Sequence, residues 1–464
     1  MPPLPAMPAM PPAFSAGDTA WVMISAALVM LMIPGLALFY GGMVRAKSAL
    51  NMLMMSISCL AVVTVVWLLY GYSLAFGPDA YGGLIGTLKY AGMDGIGVHN
   101  LSGSVPTLVF ASFQLMFAAI TTALLSGSIA DRAKFGSWLV FVAAWATAVY
   151  FPVAHWVFDS NGGHGGWIVD HLHTLDLAGG TAVEINSGAS GLALALVLGK
   201  RIGFKRDPMR PHSLPLVVLG GGLLWFGWFG FNAGSALTSG GLAGVAFFNT
   251  QVAGAAGVLG WLAVEKRRDG HATTLGAVSG AVAGLVGITP ACGSVNPLGA
   301  LLIGALAGVA CSYAVGLKFR FGYDDSLDVA GVHGVGGIVG TLLIGVLATA
   351  AVTGHARGLA FGGGFAQLGR QAVAVVAVGA YAFVVTWLIA KGIDRWIGFR
   401  VSRDDELAGL DLLLHGESAY DIGTHTAGIG HRIIGGHGHH PGGAADTQVV
   451  ASSKGESVSA TIRP

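Results

Sequence analysis

Charge is what this sequence has least of. Asp, Glu, Lys and Arg together make up 10% of 464 residues, against about 25% in a soluble globular chain. That scarcity excludes an ordinary water-soluble domain. No cationic stretch opens the chain: MPPLPAMPAMPPAFSAGD is rich in proline and lacks a charged leader region, so it does not read as a cleavable signal peptide. Cysteine is nearly absent. Cys59, Cys292 and Cys311 are odd in number and show no metal-ligand spacing, which argues against a disulfide framework; they read as small core residues. A net charge of +1 with no basic patch gives no reason to expect a nucleic-acid partner. No nucleophile and base stand together in a supporting motif, so the chain does not read as an enzyme, and nothing in it calls for a cofactor or a metal.

What is abundant is apolar and small. Hydrophobic residues make up 54%, and there are 74 glycines, the residue that lets membrane helices approach closely. Eleven apolar segments are long enough to span a bilayer at about 20 residues each: 19–42, 48–70, 105–127, 135–156, 179–199, 213–235, 242–264, 272–289, 297–317, 328–350 and 371–393. The eighth is the shortest. The connections sort by charge. One side, counted through Arg403, carries eighteen Lys and Arg, among them Arg45, Arg132, Lys200, Arg201, Lys205, Lys266 and Lys318; the other carries Lys89, Arg357 and Arg370. The positive-inside rule places the rich side in the cytoplasm, with the N-terminus out and the C-terminus in. The expectation is an all-α membrane protein of eleven transmembrane helices, multi-pass in a bacterial inner (plasma) membrane.

Segments 1–5 and 6–10 read as two related halves. FYGG at Phe39 and FNAG at Phe231 close segments 1 and 6, and an LD-x-AG signature, Leu175-Asp176 and Leu327-Asp328, opens segments 5 and 10. Five segments per half force the halves to enter the membrane from opposite sides, an inverted five-plus-five repeat plus one extra helix; such repeats place the site near the midplane. Glu184 and His333 lie inside segments 5 and 10. An ionisable side chain there costs a few kcal/mol even on lenient scales, so two in matching places suggest one site on a conduction path.

FYGGMVRAKSALNM, YGYSLAFG, GKRIGF, GWFGFNAGSAL, GLVGITPACG, DVAGVHGVGGIVG and GLDLLLHGESAY together resemble the ammonium transporter (Amt/Mep/Rh) family, Amt branch, from about residue 18 to about 421. The resemblance implies a homotrimer with one narrow pore per subunit: an outer recruitment site, a stacked phenylalanine gate and two histidines in an apolar channel. Matched by motif, FQLMFAAIT implies pathway roles for Phe113 and Phe117; GWFGFNAGSA for Trp228, Phe231 and Ser235; LDLAGG for Asp176; and GVHGVGG makes His333 the second pore histidine. Two positions depart. The family's V-H-I-N is V-E-I-N here, so Glu184 replaces the first histidine, as in a fungal subgroup. The family's HWVWGGGW is HWVFDSNGGHGGW, so Phe158 stands where the recruitment tryptophan is expected, with Trp167 as the other candidate.

From the residues, aromatic faces offer cation–π contacts of roughly 0.5–2 kcal/mol each, the Ser235 hydroxyl can accept a hydrogen bond from the ion, and Asp176 reads foremost as a helix cap. Glu184 and His333, if in contact, titrate as one pair, either Glu⁻ with His⁺ or both neutral. The expected function is uptake of ammonium or methylammonium with deprotonation and a Glu184–His333 proton relay. The alternatives are an ammonium sensor with little flux and a passive ammonia gas channel. His155, His164, His171 and His173 read as solvated loop residues. The chain divides into a Pro-rich segment (1–18), the membrane domain (19–395), a cytoplasmic regulatory segment (396–423) and a Gly/His-rich tail (424–464) that includes the GHGHH cluster ending at His440. In the regulatory segment the resemblance carries over Gly409, Asp411, His415, Gly416 and Tyr420, with a PII signalling protein as a possible partner.

Overall fold

A computed structural model describes residues 13–420; the Gly/His-rich tail, GHGHH included, lies outside them. Ten of the described helices are long and apolar enough to cross a bilayer, and an eleventh apolar helix is shorter. In chain order they are α1 (Ala16–Met43), α2 (Ala46–Phe76), α3 (Thr107–Ile129), α4 (Phe135–Phe158), α5 (Gly180–Leu198), α6 (Leu214–Gly234), α7 (Gly241–Asp269), α8 (Thr274–Ile288), α9 (Pro297–Phe321), α10 (Ala330–Leu347) and α11 (Ala366–Trp396). The short one is α8, at 15 residues. Each segment read from the sequence falls on one of these helices. Two short hairpins, Asp79–Ala80 with Ile85–Gly86 and Leu101–Ser102 with Val105–Pro106, fold the connection between α2 and α3.

Lipid tails are as apolar as leucine, so the hydrophobic effect does not press these helices together; close backbone approach does. On α6, Gly220 lies against the backbone of Phe39 in α1, and Gly230 against Ser25 and Leu28. On α7, Gly257 meets the backbone of Gly280 and Gly284 in α8, while Gly304 and Gly308 of α9 lie on the backbone of Ala253 and Gly257. A β-carbon at any of these positions would collide with main chain. The glycine count is therefore a packing requirement.

The helix ends rich in Lys and Arg share one face, tied by buried ion pairs. Arg201 makes a two-pronged contact with Asp324 (2.9 and 2.9 Å) and reaches Asp131 (3.3 Å), which also meets Arg45 (3.2 Å). Arg132, fully buried, donates to the Asp324 and Ser128 carbonyls at 2.7 and 3.0 Å. Burial alone raises the Asp324 carboxyl pKa, but hydrogen bonds and charge from Arg201, with the charge of Arg132, outweigh it and hold the pKa below the usual carboxylate value.

The segment after α11 straps this face together. Val401 N–H donates to the Arg132 carbonyl at 3.0 Å, and Arg400 grips Glu406 at 2.6 Å, whose other oxygen accepts from Ile202 N–H. Two short helices follow, α12 (Arg403–Ala408) and α13 (Leu410–His415). Asp411 accepts from the N–H groups of Leu50 and Asn51 at 3.0 and 2.8 Å, capping the start of α2 from about 360 residues away in sequence. His415 meets Asn51 at 3.0 Å, and Tyr420 meets His212 at 2.8 Å.

Candidate functional site: a narrow conduit and its acid–base pair

The site is set up where α5 and α10 begin. Asp176 accepts hydrogen bonds from the N–H groups of Gly179, Gly180 and Thr181 (2.9, 2.6 and 2.8 Å) and from the Thr181 hydroxyl. Gly179 has φ +97, a conformation that glycine adopts without strain. Asp176 is thus a helix cap in the described contacts. Burial pushes its pKa up, against the opposing effect of those hydrogen bonds. In the other half, Asp325 accepts from Val329 and Ala330 N–H at 3.1 and 2.8 Å. Its pKa is raised to about 6 by burial and by the charge of Asp328, with Lys318 opposing.

This geometry shifts the register of the repeat. By LD-x-AG, Asp328 pairs with Asp176. The carboxylate that caps α10 is Asp325, and Asp328 instead meets Lys318 at 2.7 Å. Asp325 precedes His333 by the same interval by which Asp176 precedes Glu184. The five-residue LD-x-AG match is three residues out of register.

Both helices open with a π-helical turn, Gly180–Ile185 in α5 and Ala330–Gly334 in α10. Such turns are rare and frequent at functional sites. Each turn holds one ionisable residue, and the two meet: His333 Nδ1 lies 2.7 Å from Glu184 Oε2, with both residues buried. Glycines four residues on allow the contact. Gly188 packs on the Gly334 backbone, and Gly337 lies on the Glu184 β-carbon (2.8 Å from where its own β-carbon would stand). The crossing is reciprocal, as expected of two elements related by an approximate two-fold axis.

The pair lines a narrow cavity of about 20 Å³ with Leu36, Phe39, Val183, Leu224, Trp228 and Phe231 among its walls. That is room for about one water-sized molecule. Beyond it Phe231 stacks on Phe117 (ring centroids 4.1 Å, planes 19° apart), and Phe113 packs on Phe117 at 4.9 Å. Phe158 presents its edge to Phe117 at 6.1 Å. Trp228 packs on Phe231 at 5.8 Å and donates Nε1–H to Thr289 Oγ1 at 2.9 Å. The Ser235 hydroxyl donates to the Phe231 carbonyl at 2.8 Å, leaving its oxygen free to accept. On the other side of His333 a wider cavity of about 170 Å³, with Tyr40, Glu265, Arg268 and Asp328 in its walls, leads to the basic face.

The structure therefore brings Phe113, Phe117, Trp228, Phe231, Phe158, Glu184 and His333 into one column, with Asp176 at the head of α5. Trp167 is elsewhere, against Trp156 at 5.7 Å. Phe39, which lines both cavities, was missed as a site residue. Its signal was present, because FYGG repeats the FNAG of Phe231. His155 corrects the solvated-loop reading. It is fully buried, with Nδ1 3.0 Å from the Ala75 carbonyl and Nε2 3.2 Å from Asp79. Asp159, 3.5 Å from it, is pushed up to about 6 by burial, with His155 acting in the opposite sense.

A multi-pass helical membrane protein that encloses an apolar cavity one small molecule wide among its helices has the architecture of a transport protein. The family model of the Ammonium Transporter Family matches residues 20–420, and the chain belongs to that family. It is 55% identical over 439 residues to the ammonium transporter of Mycobacterium tuberculosis (89% of this chain, 92% of that protein) and 47% identical to that of Bacillus subtilis (87% and 98%). Among solved structures it is similar to Saccharomyces cerevisiae Mep2 (TM-score 0.78, 36% identity, 84% of this chain and 89% of that one). It is also similar to a chain described as a sensor Amt protein (TM-score 0.78, 29% identity, 85% and 97%).

Proposed function

We propose that the protein takes up ammonium and methylammonium by stripping a proton at the aromatic gate and conducting the neutral amine through the conduit. The observation that carries this reading is the Glu184–His333 contact in the wall of a cavity of about 20 Å³. A bare cation in a low-dielectric cavity of that size would cost on the order of tens of kcal/mol, which the few ring faces cannot offset. Splitting the ion into ammonia and a proton removes that cost. Phe113, Phe117, Trp228, Phe231, Phe158 and Ser235 hold the ion before it gives up the proton, and Asp176 fixes the head of the helix that carries Glu184.

The proton then passes to the pair. Glu⁻ beside His⁺ and neutral acid beside neutral imidazole are both neutral overall, so a proton shifts between Oε2 and Nδ1 with no change in the pair's net charge. An arriving proton makes the pair cationic, and a proton released toward the wider cavity and the basic face restores it. Ammonia crosses separately and is protonated again on that face, so one positive charge moves per amine.

The same reading takes eleven spans in an inverted five-plus-five arrangement with one added helix, the N-terminus outside and the basic face in the cytoplasm. It takes a homotrimer as the working assembly, and the strap of residues 396–420 as the place where a PII-type protein would act. Support comes from the segregation of Lys and Arg, the reciprocal glycine crossing and the tail contacts to Leu50, Asn51, Ile202 and His212. Radiolabelled methylammonium uptake into proteoliposomes, with and without an imposed membrane potential, tests it. Uptake driven by an inside-negative potential is expected. Potential-independent uptake would favour a gas channel, and negligible uptake a sensor.

A further inference from the structure

Each capping carboxylate follows a residue that is anchored by a buried side chain from elsewhere in the chain. At the α10 head that residue is Asp324, before Asp325, and its anchor is the guanidinium of Arg201. At the α5 head it is Leu175, before Asp176, and its anchor is an amide, Gln371 of α11. Leu175 N–H donates to Gln371 Oε1 at 3.0 Å, and Gln371 Nε2 donates to the Leu175 carbonyl at 2.8 Å. Nε2 also donates to the Thr341 carbonyl of α10 at 3.3 Å, and Oε1 accepts from Gln367 Nε2 at 3.1 Å. A carboxamide can accept two hydrogen bonds and donate two, and Gln371, fully buried, makes all four. The Leu175 N–H on one side and two carbonyls on the other fix which way the amide faces. Thr341 stands one helical turn beyond Gly337, the glycine that lies on the Glu184 β-carbon. Gln371 therefore staples the lead-in of α5 to α10, on the side of their crossing away from the basic face.

We infer that Gln371 is a positioning residue for transport: it sets the head of α5 so that Glu184 meets His333. This role rests on the proton relay proposed for that pair. Leu177 N–H is tied as well, to the Pro290 carbonyl at 3.2 Å, so Asp176 is held on both sides. Its bonds to Gly179, Gly180 and Thr181 carry that position into the π-helical turn that bears Glu184. The contact at the end of this path, 2.7 Å between Glu184 Oε2 and His333 Nδ1, tolerates little displacement, because proton transfer needs hydrogen-bond reach of about 2.6–3.2 Å. The inverted arrangement leaves α11 without a counterpart. Gln371 gives that helix a task, supplying at the α5 head the anchor that Arg201 supplies at the α10 head.

The test measures methylammonium uptake and the accompanying current in proteoliposomes, per amount of folded full-length protein, for the wild type, Glu184→Gln, Gln371→Leu and the double variant. Gln371→Leu keeps most of the bulk and removes all four hydrogen bonds. It is expected to lower the maximal current by up to about a hundredfold, the cost of misplacing a reacting group by about 1 Å. KM should stay unchanged, because the stacked rings of Phe117 and Phe231 are not carried by α5. In the Glu184→Gln background the same change should not lower the residual uptake further, whereas a merely structural residue would lower it by the same factor in both backgrounds. Gln371→Glu covers the case in which Leu prevents folding. Protonated, it still accepts from Leu175 N–H and donates to a carbonyl; ionised, it faces two carbonyl oxygens with no proton to offer. Its current relative to the wild type at the same pH should therefore rise as pH falls. The positioning role alone is overturned if Gln371→Leu keeps the current that Glu184→Gln loses, if the losses in the double variant multiply, or if the Gln371→Glu ratio is independent of pH. A current kept by Glu184→Gln overturns the relay, and this role with it.

Discussion

The heads of α5 and α10 are built alike and held differently. Each starts on a carboxylate that accepts backbone N–H groups, runs into a π-helical turn, places an ionisable side chain eight residues after the carboxylate and puts a glycine four residues later against the other helix. At the α5 head the capping carboxylate makes local bonds, from Asp176 to Gly179, Gly180 and Thr181. The α10 head is set in an ionic network: Asp325 lies between Asp324, clamped by Arg201, and Asp328, paired with Lys318. The repeat thus reproduces geometry while letting chemistry diverge, to an acid in one copy and an imidazole in the other. That divergence sets an acid 2.7 Å from an imidazole where the two copies meet.

The largest break in this comparison should come from the network. Asp324→Asn leaves Arg201 buried without its main counter-charge and should cost about 3–5 kcal/mol, read as a fall in thermal midpoint or in the yield of folded protein; a loss within error would sink the network's role. The Asp324 pKa is depressed in the folded protein, so its contribution is complete above the unfolded carboxyl value and is lost as pH falls through the folded one. The wild type and Asp324→Asn should therefore converge in stability in acid.

Next come the crossing glycines. Gly188→Val drives a side chain into the Gly334 backbone, 2.2 Å from the point a β-carbon would occupy, whereas the nearest neighbours of a β-carbon at Gly337 are the Glu184 β-carbon at 2.8 Å and the Gly180 carbonyl oxygen and Ile185 Cγ1 at 3.1 Å. Overpacking costs about 1–3 kcal/mol, with Gly188→Val at or beyond the top of that range and Gly337→Ala at the bottom. Equal thermal shifts for the two would mean that the reciprocity is not mechanical.

Capping should follow, at about 1 kcal/mol per cap. Asp176→Ala loses more N–H partners than Asp325→Ala and should lower the midpoint further, a difference that parallel melting curves resolve. Asp159→Asn should act in the opposite direction. Its folded pKa of about 6 lies above the ordinary carboxyl value, so the folded state binds this proton more tightly than the unfolded one. The carboxylate therefore costs stability above about pH 6, and the cost fades as pH falls toward the unfolded value. Asp159→Asn should raise the midpoint at pH 8 and change it little at pH 4; the opposite order would show that the His155 attraction dominates.

The helices were legible because a bilayer demands long apolar runs, and their Lys and Arg contents sort the loops. The column of rings and the Glu184–His333 pairing were legible through motif resemblance and the cost of burying charge. The cap of α10 was not. In a sequence crowded with Gly, Ala and Leu, the Leu327-Asp328 match outweighed the equivalence of Asp325, which the hydrogen bonds to Val329 and Ala330 establish and the equal eight-residue interval to the ionisable residue supports. The π-turns left no periodic mark, since a one-residue shift of the hydrogen-bond ladder is set by the crossing helix. His155 is buried by partners about 76–80 residues away, Ala75 and Asp79, and no local pattern announces them. The strap's Asp411 caps a helix on the far side of the sequence for the same reason.

The central claim is that the Glu184–His333 pair carries the proton separately from the amine. The most direct measurement is charge moved per methylammonium in proteoliposomes, comparing the wild type with Glu184→Gln and Glu184→His. Gln keeps the shape but removes the acid, while His restores a second titratable group. The expected result is close to one charge per amine in the wild type, a collapse of current with Glu184→Gln and a recovered current with Glu184→His. An undiminished current at an unchanged ratio in Glu184→Gln would contradict the relay.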